Sequence, residues 1–124
     1  MDSFAARARL ETWPDPVTVL VDAFADLYRS EPGFRALWFG SHLTERIRET
    51  DREHKRVMAA AVHRILVAQH LLPDDTAAAT ACYAAFLAAD AVTQEAFRAG
   101  PGGAADLLSE LKTMLRAYLD RLAS

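Results

Sequence analysis

The chain is short of sulfur, of positive charge and of alternating patterns, and each shortage closes off a class of function. Cys82 is its one cysteine, so no internal disulfide and no thiolate cluster can form within one chain. Arginine and lysine number 14 against 17 aspartates and glutamates, a formal net charge of -3, which is the wrong sign for a chain that grips phosphates unaided. No run of about 18 consecutive apolar residues occurs, so no membrane span is expected. The opening Met1-Asp2-Ser3-Phe4 brings an acid early and no apolar segment, so it does not read as a signal peptide and the expected location is cytoplasmic. No Gly-x-Ser-x-Gly, Cys-x-x-Cys or His-x-Glu pattern is present, and no enzymatic activity and no cofactor are expected. Nothing alternates with period two over a strand's length, which leaves an all-α chain.

What remains is a helical core. Across 124 residues, 52% are apolar and 25% charged, enough for a single domain over residues 1–124 that buries most of its apolar surface. Asp15 before Pro16 makes an N-cap with proline at the first helical position, and Val17, Leu20, Val21, Phe24, Leu27 and Tyr28 follow on one face. Residues 4–12 can form a short helix of little apolar surface. After Pro32-Gly33 comes Phe34-Arg35-Ala36-Leu37-Trp38-Phe39-Gly40, too short to be a stable helix alone. It must bury Phe34, Leu37, Trp38 and Phe39 against longer neighbours, as a wedge that holds helices apart.

Ser41 can cap a long helix reaching about His70 or Leu72, with Thr50, His54, Met58, Ala61, Ile65 and Ala68 along its inner face. Its first half interleaves acids and bases as Glu45/Arg48, Glu49/Arg52, Asp51/Lys55 and Glu53/Arg56, spacings that predict a solvated face. Its second half is apolar nearly all round, as for a helix in the middle of a bundle. Leu72-Pro73-Asp74-Asp75 stops this helix and caps the next, over about residues 76–99. That helix has two stripes. Ala78, Cys82, Ala85, Ala89, Val92 and Ala96 are small and allow close approach of another helix; Ala79, Tyr83, Phe86, Asp90, Thr93 and Phe97 set a carboxylate among aromatics. Gly100-Pro101-Gly102-Gly103 turns the chain, with Gly100 expected at the C′ position. In the last helix, from about residue 104 to 123, Leu107, Leu108, Leu111, Met114, Leu115, Tyr118, Leu119 and Leu122 make a stripe too wide for one neighbour. A second chain on that helix is the expectation.

Polar chemistry is sparse. His63 and His70 share a face but stand roughly 10 Å apart along a helix, too far to share an ion. Asp51-x-x-His54 has no second copy to complete a di-iron pattern; no metal site is expected. Asp90, alone among Tyr83, Phe86 and Phe97, requires a partner: an arginine or a backbone donor in the same bundle, or a ligand. Gln94, one turn on, can share either task, and His54 and His63 are either satisfied rim or core residues or ligand contacts.

The order of segments resembles the C-terminal ligand-binding and dimerisation domain of TetR family transcriptional regulators. The likeness is carried by the capped Asp15-Pro16 helix ending in Leu27-Tyr28-Arg29, by residues 32–38, by Phe86-Leu87-Ala88-Ala89-Asp90-Ala91-Val92, and by the ending from Leu107 to Leu119. It implies an antiparallel bundle of about five or six helices whose last two make a four-helix dimer interface, involving Cys82, Ala85, Ala89, Val92, Leu108, Leu111, Leu115 and Tyr118. It implies a small-molecule effector in a mostly apolar pocket of Phe24, Tyr28, Trp38, Met58, Tyr83 and Phe86, oriented by His54, His63, Asp90 or Gln94. No positions match the family's N-terminal helix-turn-helix, since fewer than fifteen residues precede Asp15; the chain is an excised domain or a headless relative, without direct nucleic-acid contacts. The alternative is a helical interaction module with a filled core and no ligand.

Overall fold

The computed structural model describes residues 12–30, 45–98, 100 and 103–123. Among these residues the chain forms four α-helices and no strand: α1 (Pro16–Ser30), α2 (Glu45–Ala68), α3 (Thr76–Phe97) and α4 (Ala105–Ala123). The fold is an all-α bundle, with four helices rather than five or six in the described part. The expected wedge at residues 32–40, the Ser41 cap and residues 4–11 lie outside the described residues.

Local chemistry sets the helix ends. Asp15 caps α1, its Oδ1 accepting from the Thr18 backbone N–H at 3.3 Å, and Pro16 occupies the first position, where no N–H is needed. Asp75, in an extended conformation (φ -137°, ψ 170°), caps α3 by accepting from Ala78 N–H at 2.8 Å. At the end of α2, His70 takes φ 60°. Its N–H bonds to Val67 O and that of Leu71 to Leu66 O, both at 3.0 Å. These are the paired bonds of a Schellman cap, in which the left-handed residue is usually glycine. Leu66 and Leu71 pack in the same cluster, the apolar contact that accompanies the motif. Among the described residues of the next turn the left-handed one is Gly103 (φ 73°), not Gly100. A Cβ on Gly103 would stand 2.9 Å from the Phe97 ring, so the turn folds down onto a fully buried aromatic and only glycine fits beneath it.

Short connections make sequential helices antiparallel. On the α2–α3 seam, Leu66 near the end of α2 meets Ala78 near the start of α3, while Lys55 meets Asp90. On the α3–α4 seam, Phe97 packs with Leu108 and Cys82 with Leu119 and Leu122. Helix α1 runs against α4, with Asp15 beside Arg116 and Asp22 beside Lys112. Helix α3 therefore touches all three others. It is long and apolar enough by length and composition to cross a membrane although it holds no uninterrupted apolar run of that length; here it packs in the bundle and carries a paired carboxylate.

The first half of α2 departs from expectation. Thr50 and His54, expected on the inner face, are exposed. Asp51 and Lys55 turn inward instead, because the carboxylate of Asp90 lies across the seam. Alternating charge at helical spacing sends every member of such a run to water only when no buried opposite charge competes for one of them.

Candidate functional site

Bulky side chains of three helices face small ones on the fourth. Leu20, Phe24 and Leu27 of α1, Met58, Val62 and Leu66 of α2, and Leu111, Leu115, Leu119 and Leu122 of α4 converge on Ala81, Cys82, Ala85 and Ala89 of α3. Large against small would pack tightly if the helices could close in. Phe86 of α3, whose ring meets Phe24 edge-on at 5.5 Å and 68°, and the buried Leu111, Val17 and Val21 complete the lining. A cavity of about 200 Å³ remains. Tyr118 stands at its edge, partly exposed.

Among the described lining residues the walls are almost wholly hydrocarbon, their hydroxyls and thiol belonging to Thr93, Tyr118 and Cys82. Thr93, 1% exposed, donates its Oγ1 hydrogen to Ala89 O at 2.7 Å within α3. Burial pushes the Cys82 thiol up to about 11, so it stays protonated at neutral pH and behaves as a small apolar group.

The charged groups lie elsewhere. Asp90, 2% exposed, accepts Lys55 Nζ at 2.9 Å and Gln94 Nε2 at 2.8 Å on the same oxygen, Oδ2. Lys55 also reaches Asp51 at 3.0 Å. Burial works against the Lys55 ammonium, but the hydrogen bonds to Asp90 and then Asp51 outweigh it and hold its pKa above the usual lysine value. On the outer edge of α1 and α4, Arg116 Nη2 bonds Asp15 Oδ2 at 2.8 Å and Thr18 Oγ1 at 2.7 Å, while Lys112 meets Asp22 at 2.7 Å. The Arg116 contact, then that of Thr18, lowers Asp15 to about 2. Among the described residues no three His, Cys, Asp or Glu side chains gather as metal ligands would.

Of the ten residues the sequence offers as ligand contacts, Phe24, Met58 and Phe86 line the cavity. Trp38 and the Tyr28 side chain lie outside the described residues. Tyr83 sits beneath the Arg56 guanidinium, 4.9 Å from its ring centre, and is not among the lining residues. Asp90 and Gln94 are joined to each other and to Lys55 on the α2–α3 seam. His63 is buried with Nε2 3.0 Å from Pro73 O, and His54 is exposed.

The residues offered for a dimer interface have the following places within the single chain. Cys82, Ala85, Ala89, Leu111, Leu115 and Tyr118 line the cavity of their own chain. Val92 packs on the Val17, Val21 and Leu111 cluster, and Leu108 is buried with Phe97. The face of α3 left outward is Ala77, Thr80, Ala84, Leu87, Ala88 and Ala91, all exposed at helical spacing, and α4 adds exposed Leu107 and Met114. With small residues on both sides of α3, sequence periodicity cannot separate inside from outside; only the bulk of α1 and α4 decides. Sequence reasoning also misses Lys55. Asp90's need for a cation, read together with the antiparallel register, is the signal that finds it.

The profile described as "Tetracyclin repressor-like, C-terminal domain" matches residues 11–123. The chain belongs to this family. As a tetracyclin repressor-like C-terminal domain it is, at the family level, a regulatory ligand-binding domain. No curated protein and no solved structure matches it.

Proposed function

We propose that this domain is the effector-sensing and dimerising part of a TetR-like transcriptional regulator, working in the cytoplasm, with a small apolar molecule as effector. The observation that carries the reading is the cavity: each of the four helices supplies part of its wall, so an occupant touches every element at once and can shift their relative positions. Phe24, Met58 and Phe86 are its proposed contacts, with Tyr28 and Trp38 proposed beside them on the likeness to the family.

Dimerisation is proposed through the outward face of α3 and α4. Ala77, Thr80, Ala84, Ala88 and Ala91 are small enough to let a second helix backbone approach closely, and Leu87 and Met114, 39% and 51% exposed, supply apolar area. Two measurements test the pair of claims. Thermal melting against a panel of apolar small molecules is expected to show stabilisation growing with concentration; a panel without effect would sink the sensing role. Light scattering at micromolar concentration is expected to give a dimer that Leu87→Asp converts to monomer, and a monomeric unaltered chain would sink the interface.

A further inference from the structure

The chemistry of the cavity specifies its occupant further than "apolar". We propose that it selects a neutral, compact, hydrocarbon-like molecule, of the size of a single ring bearing a short alkyl chain, and rejects carboxylate and ammonium analogues of the same skeleton. This rests on the ligand-sensing reading above.

Three observations converge. The first is the disposition of charge. On the α2–α3 seam Lys55 is paired with Asp90 and Asp51, and the neutral amide of Gln94 donates to Asp90, all of them outside the described lining of the cavity. Those of the α1–α4 edge are paired on its outer side, Arg116 with Asp15 and Lys112 with Asp22. A charged ligand would lose its hydration and meet no opposite charge among the described lining residues in return. The second is the hydrogen-bonding capacity of the wall. Thr93 has spent its one donor on Ala89 O, the Cys82 thiol is a weak donor, and Tyr118 stands at the rim. Among the described lining residues that leaves the Tyr118 hydroxyl as the one strong donor, too little to replace the hydration of a carboxylate. The third is size. A cavity of roughly 150 Å³ lined by leucine, isoleucine and phenylalanine accommodates benzene, and this one measures about 200 Å³, which adds room for a few methylenes.

Its volume comes from α3. Ala81, Cys82, Ala85 and Ala89 stand where larger side chains would fill the cavity, so these small residues set the length of alkyl chain the site admits. Ala85 lies midway along the row and is the position at which to close it.

The test uses three probes on one skeleton: butylbenzene, 4-phenylbutyrate and 4-phenylbutylamine, titrated into the 124-residue chain and followed by calorimetry and melting temperature. Butylbenzene is expected to raise the melting temperature and to bind at least tenfold more tightly than either charged analogue. A charged analogue binding as tightly would overturn the selection for neutrality while leaving ligand sensing intact. Failure of all three to bind would overturn both. Ala85→Leu is expected to weaken butylbenzene at least tenfold, and unchanged affinity would place the ligand elsewhere and overturn the proposal. Should that variant not fold, methyl-labelled methionine in the unaltered chain serves the same purpose. Met58 lines the cavity and Met114 lies on the outer face. The Met58 methyl resonance is expected to move with butylbenzene, and its standing still while binding is measured would overturn the assignment.

Discussion

Helix α3 meets α2 partly through charge and meets α1 and α4 through hydrocarbon, and the two seams are built to opposite tolerances. On the first, one carboxylate oxygen of Asp90 holds both Lys55 and Gln94 at under 3 Å, an arrangement that fixes register because its members satisfy one another and lose heavily when one is removed. On the second, leucines face alanines across about 200 Å³, a contact whose dispersion forces are non-directional and do not hold it at one spacing. Rigidity and adaptability are thus assigned to different sides of one helix. Asp90 and Gln94, offered by the sequence to orient a ligand, are engaged in fixing the rigid side.

The contrast breaks most readily at Lys55. Lys55→Met leaves Asp90 buried without its ammonium and is expected to cost about 3 kcal/mol in urea denaturation. Combining it with Asp90→Leu is expected to restore much of the loss, whereas a loss unchanged by the second substitution would deny the pairing its role. Gly103→Ala attacks the corner that closes the apolar seam. Its Cβ would enter the Phe97 ring at 2.9 Å with φ at 73°, and a loss of about 2 kcal/mol is expected by the same assay. His70→Gly acts at the opposite corner, in the other direction. It relieves a left-handed φ of 60° on a residue with a side chain and is expected to gain about 0.5 kcal/mol, read as a higher urea midpoint at constant slope.

The smallest effect sharpens the outer edge of the apolar seam. Asp15 is held at about 2 in the fold against an ordinary 3.8. A depressed carboxylate stabilises the fold above its unfolded pKa and loses that contribution as pH falls through the folded value. Asp15→Asn is therefore expected to lower stability at pH 6, with the gap from the unaltered chain narrowing between pH 4 and pH 2. The pair is exposed, so salt is expected to shrink the gap as well. A gap independent of pH would mean that Asp15 acts only as a cap.

Much of the frame was legible because it is local. Asp15-Pro16 and Pro73-Asp74-Asp75 announce helix starts through backbone chemistry, and the four long segments declare themselves by period. What escaped depends on bulk across space. The Cys82, Ala85 and Ala89 row is small enough to suit either a partner helix or a cavity, and the choice follows from the leucines that stand opposite. Lys55 escaped for a different reason, since its i,i+4 partner Asp51 already explains it as a surface residue. Gly103 rather than Gly100 takes the left-handed turn because Phe97 must fit under it, a steric condition that no tetrad of turn residues announces. The cavity itself is a difference between two volumes, and composition reports neither.

Alanine on both faces of α3 has a mechanical consequence. Side chains with several rotamers act as cushions: a helix pushed from one side can be absorbed by reorienting the groups on the other. Ala81, Ala85 and Ala89 on the cavity side and Ala77, Ala84, Ala88 and Ala91 on the outer side have no such rotamers to give. A helix with so few rotamers on either face has little side-chain freedom with which to absorb a shift of its backbone, so movement on the cavity side and movement on the outer side are tied to one another.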